Sequence, residues 1–418
     1  MNKILASIVI RLRLLSVQPV FLLVDIVLLG IALGLLVPIG VVFVECSAAL
    51  WPSQRQGKEI RGIRPRIAVL VPAHNEAKGI GTTLLKLIPQ LTASDRLLVI
   101  ADNCTDGTAA IARNCGATVV ERQDLDRQGK GYALDYGLRF LDANPPEVVV
   151  MVDADCIVAP GTIDRISRIA IATGRPVQAT YLMEQPANPN PKDAVSSLAF
   201  LVKNLVRTRG LERLGLPCLL GGTGMAFPWS VIREAPLASG NIVEDMQLGL
   251  DLAIAGHPPI FCSQARVTGV LPQQNQAAVS QRTRWEHGHL QTLVKQVPLL
   301  VKESVRQRRW DLLAIALELC VPPLSLLVML WIAALGLATL AGILGMAWTP
   351  AILLAAEGLL ILVSIVGAWA KFGRRELPLL TLLAVPFYVL WKIPLYLTFI
   401  VRPQTKWIRT ERDAVDAK

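Results

Sequence analysis

A long apolar stretch near the amino terminus is the feature that most restricts what this chain can fold into. Residues Pro19 to Val44 read PVFLLVDIVLLGIALGLLVPIGVVFV, with Asp25 as the one charged residue. About 20 helical residues cross the ~30 Å apolar core of a bilayer, so this stretch is long enough to span it. A cleaved signal peptide, whose apolar region is shorter, is the less favoured alternative. We interpret residues 1–50 as an N-terminal interfacial and transmembrane segment.

The composition indicates that membrane segments and a polar domain occur together. Of the 418 residues, 53% are hydrophobic and 18% are charged. The net charge of +10 arises from basic residues that lie mostly beside apolar segments. A positive net charge suits anionic lipid, a nucleotide or nucleic acid, and this distribution favours lipid; we expect no nucleic-acid partner. The seven cysteines contain no CxxC pair, so neither a disulfide framework nor a zinc site is indicated.

Short apolar runs alternate with helical patterns from Ile67 onward. Examples are IAVLVPA before a helix, RLLVIAD before a helix, and VVVMVDADC after one. Strands that alternate with helices predict an α/β fold with a Rossmann-like, mostly parallel sheet. We assign residues 67–289 to this domain, after a basic linker over residues 51–66 that marks the cytoplasmic side of the membrane.

An amphipathic segment and further apolar stretches follow the polar domain. Residues 290–311 have apolar residues at helical spacing and a cationic face, which predicts interfacial helices. Pro298 predicts a kink or two short helices. Residues 312–402 are assigned to C-terminal transmembrane helices, and residues 403–418 to a basic tail.

Three apolar stretches in that C-terminal region are each long enough to cross a bilayer, at residues 315–344, 347–370 and 377–401. Lys371, with two arginines after it, favours a cytoplasmic loop before the last stretch. A crossing by that stretch would put the basic tail outside. The last stretch is therefore either re-entrant or an exception to the positive-inside tendency, and the sequence leaves both alternatives open.

Two carboxylates, Asp153 and Asp155, follow the buried-strand pattern of Val148 to Val152. Because side chains alternate along a strand, the two aspartates should point the same way at its carboxyl end, where α/β sheets bind ligands. Adjacent carboxylates suit a divalent cation that also binds phosphate oxygens. An acidic turn without a ligand is the alternative.

Three further motifs lie where the predicted strands end. PAHNE ends at Glu76, DNCTDGT begins at Asp102, and RQGKG contains Lys130. The carboxylates can accept hydrogen bonds from a ribose or a base, and the glycine-flanked lysine can approach a diphosphate. Helix-capping turns are the alternative interpretation of the first two motifs.

In this order the motifs resemble those of the family 2 glycosyltransferases, which have the GT-A fold. The resemblance implies that three residues hold the nucleoside, a lysine lies by the diphosphate and the paired aspartates bind Mg²⁺ or Mn²⁺. Those residues are Pro72, Glu76, Asp102, Lys130, Asp153 and Asp155, and Asp153 is also assigned to the donor.

The resemblance continues through GGTGMAF, through the acidic pair in NIVEDMQ, and through QRTRW. We assign acceptor contacts to four residues, Gly222, Thr223, Glu244 and Trp285. Asp245 opens a predicted helix whose positive end favours an ionised carboxylate, so it can take a proton from an acceptor hydroxyl. Arg284 can neutralise the departing diphosphate of the donor.

These residues also have interpretations that involve no substrate. The acidic pair is compatible with an ordinary helix start, and Trp285 with an anchor in the membrane interface. His287 and His289 are interpreted as contacts to the acceptor or diphosphate, because no further ligands of matching spacing suggest a metal site.

The resemblance therefore implies a membrane-bound inverting hexosyltransferase, similar in architecture to ceramide glucosyltransferases and to cellulose and hyaluronan synthases. We expect a nucleotide-sugar donor, with a UDP-sugar favoured, and a lipid-linked or polysaccharide acceptor. We expect a bacterial inner-membrane protein with a cytoplasmic catalytic domain. The alternatives are a nucleotidyltransferase on the same kind of sheet and a non-enzymatic nucleotide-binding membrane protein.

Overall fold

The computed structural model describes residues 2–52, 64–186, 191–238, 242–271 and 275–401. Most of the predicted basic linker (51–66) and the whole predicted basic tail (403–418) lie outside these residues.

An eight-stranded sheet forms the centre of the polar domain as far as it is described. Its strands are β1 Ile67–Ala73, β2 Arg96–Asp102, β3 Thr118–Arg122, β4 Val148–Met151, β5 Ile157–Val158, β6 Val177–Glu184, β7 Met225–Pro228 and β8 Ile260–Val270. They lie in the order β3-β2-β1-β4-β7-β6-β8-β5. β7 is antiparallel to both of its neighbours and β5 to β8, whereas the other pairs are parallel. The prediction of a mostly parallel α/β sheet is confirmed.

Helices of the polar domain cover this sheet and continue into an apolar bundle. The domain helices are α2 Ile80–Leu87, α3 Thr108–Asn114, α4 Lys130–Leu141, α5 Thr162–Thr173, α6 Pro191–Leu201, α7 Thr208–Leu214, α8 Trp229–Ile232 and α9 Glu244–Ile254. A π-helical segment, Val202–Arg207, joins α6 to α7. The remaining helices are α1 Asn2–Leu50, α10 Asn275–Gln307, α11 Trp310–Cys320, α12 Leu324–Ile343, α13 Thr349–Ala368, α14 Leu380–Leu383, α15 Val385–Trp391 and α16 Ile393–Val401.

The central strands are buried on both faces, which explains their continuous apolar runs. In β1, Val69 and Val71 pack with α2 and α5 in one core, while Leu70 packs on the other side of the sheet with Leu134 and Leu138 of α4. Alternation along a strand divides the residues between the two cores. Each fully buried Val, Leu or Ile contributes roughly 1.5–3 kcal/mol, so the sheet is a rigid base for its terminal loops.

Three described helices are long and apolar enough to cross a membrane, namely Pro19–Leu50, Leu324–Ile343 and Thr349–Gly373. They pack on one another and on the segment around Val202 and Val206, so the apolar bundle adjoins the polar domain. Asp25 in the first of them accepts a hydrogen bond of 3.1 Å from the main-chain nitrogen of Ala347, in the turn between α12 and α13.

The last apolar stretch, predicted at residues 377–401, differs from a single spanning helix. It is divided into α14, α15 and α16, each too short to cross a bilayer alone. Pro378, Pro386 and Pro394 explain the division, because proline lacks the main-chain donor that an uninterrupted helix requires.

The predicted interfacial helices over residues 290–311 are part of one longer helix. α10 has 33 residues and continues through Pro298, so the alternative of two short helices is wrong. Val294 and Val305 are 66% and 74% exposed, whereas Leu300 is fully buried, and the amphipathic, interfacial character of residues 290–311 stays a prediction. Because α10 begins at Asn275, the QRTRW motif lies on the same helix as this amphipathic half.

Candidate functional site

The antiparallel strand β7 brings two distant loops together beside the centre of the sheet. Met151, at the end of β4, pairs with Met225, at the start of β7. Because the strands run in opposite directions, the loop that leaves β4 meets the glycine-rich loop that enters β7. Asp153 and Thr223 lie in these loops, and the Asp153 main-chain nitrogen donates to Thr223 Oγ1 at 3.1 Å.

Asp153 and Asp155 lie together, but for a different reason from strand alternation. β4 ends at Met151, so both aspartates belong to the turn that follows it, which is closed by a 3.2 Å hydrogen bond from the Cys156 main-chain nitrogen to the Asp153 oxygen. Ligand atoms of the two carboxylates and the Cys156 thiol lie within 4.8 Å of one another.

This group fits a hard divalent cation through its carboxylates. Mg²⁺ and Mn²⁺ prefer oxygen ligands, and Asp153 is half-buried while Asp155 is exposed, so both can reach a cation and a phosphate. Burial, then Asp155, raises the pKa of the Cys156 thiol, which keeps it protonated and makes it a poor ligand.

Lys130 is the first residue of α4 and lies among the acidic side chains of the site. Its Nζ forms an ion pair with Asp153, donates to the Gly222 main-chain oxygen at 2.5 Å and lies 3.9 Å from Glu244 Oε1. Burial lowers the pKa of Lys130, but Asp153, Glu244 and Asp245 outweigh burial and raise it overall. The lysine is therefore a permanent cation, as the predicted role beside a diphosphate requires.

Asp245 lies directly against the glycine-rich loop. A methyl group on Gly222 would lie 3.0 Å from Asp245 Oδ2 and 3.6 Å from Lys130 Nζ, and Gly222 has a φ of +90°. Both the space and the backbone conformation therefore require glycine. Asp245 and Glu244 occupy the first turn of α9, where the helix dipole favours negative charge.

Glu244 has a strongly perturbed carboxylate. Burial raises its pKa to about 7, Lys130 opposes this effect, and Asp245 adds to it. Burial also raises the pKa of Asp153, against the opposing charge of Lys130. Perturbed carboxylates that share one lysine are typical of functional sites.

The predicted nucleoside residues lie at the adjoining end of the sheet. Pro72 and Asp102 lie at the carboxyl ends of β1 and β2, which are parallel and paired along their length. Glu76 is buried, and its main-chain nitrogen donates to Thr108 Oγ1 at 2.7 Å. His74 Nδ1 donates to the Asp102 main-chain oxygen at 2.7 Å, which fixes the two loops against each other.

Arg122 is a residue of this region that the sequence interpretation missed. It forms a buried ion pair of 2.6 Å with Asp102 and donates to the Arg127 main-chain oxygen at 2.8 Å. It thereby joins the predicted nucleoside carboxylate to the RQGKG loop. Burial raises the pKa of Asp102, and Arg122 opposes that effect. An arginine directly after the short apolar run of β3 was the available signal.

Trp285 of the QRTRW motif contacts the polar domain through aromatic rings. Its ring centroid lies 5.8 Å from that of Phe200, which lies 5.4 Å from that of Tyr181. Burial, followed by the neighbouring Cys156 and Asp155, raises the pKa of Tyr181. The aromatic chain thus extends from α10 to the acidic turn. Arg284 is half-buried on the same helix.

His287 and His289 are buried and bonded to the main chain. Nε2 of His287 donates to the Leu395 oxygen at 3.1 Å, and Nε2 of His289 donates to the Leu319 oxygen at 3.4 Å. These contacts attach α10 to α16 and α11, so the interpretation of the histidines as acceptor or diphosphate contacts is not supported.

Comparisons with known proteins find a family model and similar proteins. The family model described as glycosyltransferase-like family 2 matches residues 65–288. A 4,4'-diaponeurosporenoate glycosyltransferase of Staphylococcus aureus is 37% identical over 89 residues, which cover 21% of this chain and 23% of the relative. The chain thus spans less than a quarter of the length of the curated relatives that it matches.

Of two similar solved structures, the first supports the fold. A mannosyltransferase from Pyrobaculum calidifontis, in complex with GDP-Man and Mn²⁺, is 20% identical with a TM-score of 0.55, covering 88% of this chain and 99% of that one. A glucosyl-3-phosphoglycerate synthase from Mycobacterium tuberculosis is 24% identical with a TM-score of 0.36, covering 51% of this chain and 77% of that one.

Proposed function

Because the chain belongs to the glycosyltransferase-like family 2, we propose that it is an inverting hexosyltransferase that uses a nucleotide-sugar donor. One observation carries the proposal: Lys130, Asp153 and Asp245 meet at one edge of the sheet, although they come from three distant parts of the chain. We also propose that residues 67–289 form the catalytic domain, and the family match over 65–288 supports these limits.

The donor is proposed to lie across the ends of β1, β2 and β4. Pro72, Glu76 and Asp102 would hold the nucleoside, with Asp102 oriented by its ion pair to Arg122. Asp153 and Asp155 would hold Mg²⁺ or Mn²⁺. When bound, the cation would offset negative charge on the diphosphate. A UDP-sugar remains the favoured donor.

The transfer itself is proposed to be a single displacement. Asp245 accepts the proton of an acceptor hydroxyl, and the acceptor oxygen forms a bond to the anomeric carbon. The bond from that carbon to the diphosphate oxygen breaks on the opposite face, which inverts the configuration. Lys130 and Arg284 stabilise the departing negative charge. Gly222, Thr223, Glu244 and Trp285 would position the acceptor.

The acceptor is proposed to be lipid-linked or a polysaccharide, in glycolipid or exopolysaccharide synthesis. Three helices that can cross a membrane, and an amphipathic α10 that carries QRTRW, support a site at the membrane surface. We propose a bacterial inner-membrane location with the catalytic domain in the cytoplasm, since basic residues adjoin the first apolar helix on that side.

Replacement of Asp245 by asparagine tests the proposed base. We expect Asp245→Asn to lower nucleotide release by about 10²-fold or more, because the amide cannot take the proton. Nucleotide binding should change little. The measurement is release of UDP or GDP from a panel of UDP- and GDP-sugars by purified protein in lipid. Unchanged turnover would remove Asp245 from this role, and Asp251→Asn, in the third turn of the same helix, is the matched control.

Replacement of Asp155 by alanine tests the metal site separately. We expect Asp155→Ala to lose most of the gain in nucleotide affinity that Mg²⁺ or Mn²⁺ provides, because one oxygen ligand is removed. Calorimetric titration of the nucleotide, with and without the cation, measures this gain. A full gain in the variant would contradict the assignment of Asp155 as a ligand.

A further inference from the structure

One cation close to the site, Lys203, has no partner among the described residues. Its exposed side chain forms neither an ion pair nor a hydrogen bond with them. By contrast, Lys130, Arg207 and Lys392 are each paired with a carboxylate. Lys203 lies in the π-helical segment Val202–Arg207. Such segments are rare in proteins, and those that do occur are often at functional sites.

The position of Lys203 on its helix directs it toward α10 and α11. Phe200, three residues earlier, contacts Trp285 of α10. Arg207, four residues later, donates to Glu318 of α11 at 2.8 Å. Residues three and four apart share one face of a helix, so Lys203 lies between these two contacts.

The charged surroundings of Lys203 place it near the proposed base. Arg207, Asp245, Glu318 and Glu286 all act on it electrostatically, and burial is the largest cause that lowers its pKa. A side chain that is accessible to solvent and yet desolvated lies in a recess and not on an open surface. Asp245 is one of the charged groups that act on Lys203, and Phe200, three residues earlier, contacts Tyr181 beside the acidic turn.

Two lysines are influenced by Asp245, and only one of them belongs to the proposed donor site. Asp245 acts on both Lys130 and Lys203, but Lys130 is the lysine paired with Asp153. α6, which leads to Lys203, packs against the membrane-capable helices through Leu198 and Leu201. A separate apolar pocket lies beside α6 and is lined in part by Leu198, Val328 and Tyr388.

We propose that Lys203 binds an anionic group, a phosphate or a carboxylate, on an acceptor with an apolar chain. The inference rests on the proposed function and specifies its acceptor. An anion would form the ion pair that Lys203 lacks among the described residues. The apolar chain would lie along α6 toward the membrane-capable helices. Asp245 would then face the reacting oxygen of the bound acceptor.

The experiment compares three ligands with one chain and different head groups: farnesyl phosphate, farnesoic acid and farnesol. Their binding to the full chain in phosphatidylcholine nanodiscs is measured by thermophoresis. We expect at least one anion to bind about tenfold more tightly than farnesol, as a charge-assisted hydrogen bond predicts. The two anions distinguish a phosphate from a carboxylate.

Variants assign this preference to the lysine. Lys203→Met should abolish the preference for the anion and keep the affinity for farnesol, whereas Lys203→Arg should keep both. Lys302→Met, which removes an exposed lysine of the amphipathic α10, is the matched control and should keep the preference. That control separates a specific site from general attraction to a basic surface.

Three results would overturn the inference. The unaltered protein could bind all three ligands equally, Lys203→Met could keep the preference for the anions over farnesol, or Lys302→Met could lose that preference to the same extent as Lys203→Met. Because binding is measured without turnover, these results differ from a failure of the proposed function. That failure would appear as no nucleotide release by the unaltered protein with any donor and acceptor.

Discussion

Lys130 makes the crowding of acidic side chains in the site possible. Its Nζ is paired with Asp153 and lies 3.9 Å from Glu244, and it acts on Asp245. Three carboxylates gathered in a half-buried cleft would repel one another without a central cation. A single lysine at the start of α4 thus joins the proposed donor and acceptor parts of the site.

Gly222 is the residue whose replacement tests this packing most directly. We expect Gly222→Ala to lower kcat by about tenfold to a hundredfold, because the added methyl group would displace the proposed base and the lysine. The positive φ adds a strain of roughly 1–2 kcal/mol to the folded state. Nucleotide release and the thermal unfolding midpoint are the two measurements.

Gly116→Ala is a matched control for that strain. Gly116 has a φ of +89°, and no atom lies within 4 Å of the position of an added methyl group. The Gly116→Ala variant should lower the unfolding midpoint by about as much as Gly222→Ala and leave kcat unchanged. Equal kcat values for the two variants would show that the space beside Asp245 is not critical.

At the scale of elements, α10 connects the site to the last apolar helices. Glu286 follows the QRTRW motif, forms an ion pair with Lys392 and accepts a 2.6 Å hydrogen bond from Tyr396. Ser325 Oγ of α12 lies 2.6 Å from the same tyrosine oxygen. This network explains how a lysine is accommodated within an apolar stretch, since its charge is paired and not left in lipid.

Removal of Lys392 should uncouple these elements. We expect Lys392→Met to destabilise the protein by about 3 kcal/mol, because Glu286, whose side chain is 14% exposed, loses its ion-pair partner. The double variant Glu286→Gln/Lys392→Met should lose less stability than the sum of the losses in the two single variants. Unfolding midpoints in nanodiscs give this coupling, with the exposed Lys302→Met as control. Strictly additive losses would contradict it.

At the scale of the whole molecule, a buried charge cluster joins the polar domain to the apolar bundle. Arg207, which ends the π-helical segment, donates to Glu45 of α1 at 2.6 Å and to Glu318 of α11 at 2.8 Å. These three side chains are at most 6% exposed. Breaking such a group leaves an uncompensated charge, so it fixes how the two parts of the molecule meet.

The same region should make stability depend on pH through His289. Burial, together with the neighbouring cations Lys203 and Arg207, lowers its pKa to about 3. In the unfolded chain a histidine binds a proton below about pH 6.5, whereas the folded protein excludes it until about pH 3. The unfolded state thus binds more protons in this interval, and stability falls as the pH falls through it.

His289→Gln should weaken that dependence. Between pH 6.5 and pH 5 the unaltered protein should lose up to about 1.4 kcal/mol per pH unit from this residue, a loss absent from the variant. The difference between the unfolding midpoints at pH 7.5 and pH 5, compared for the two proteins, measures it. Equal differences would show that His289 does not exclude a proton.

The sequence by itself determined the α/β sheet, the mostly parallel strands, the apolar helices and the order of the motifs. These follow from local patterns, since burial on both faces makes a continuous apolar run and parallel strands bring their carboxyl ends to one edge. It also placed Lys130 and Asp245 among the candidate residues, and their catalytic roles stay predictions.

Only the tertiary structure decided which groups meet. Lys130 contacts Gly222 across 92 positions, and Arg207 contacts Glu45 across 162. The antiparallel pairing of β7 and the Arg122–Asp102 ion pair are contacts of this kind. A periodic pattern reports the environment of a residue within its own element, whereas a partner from a remote element is chosen by packing.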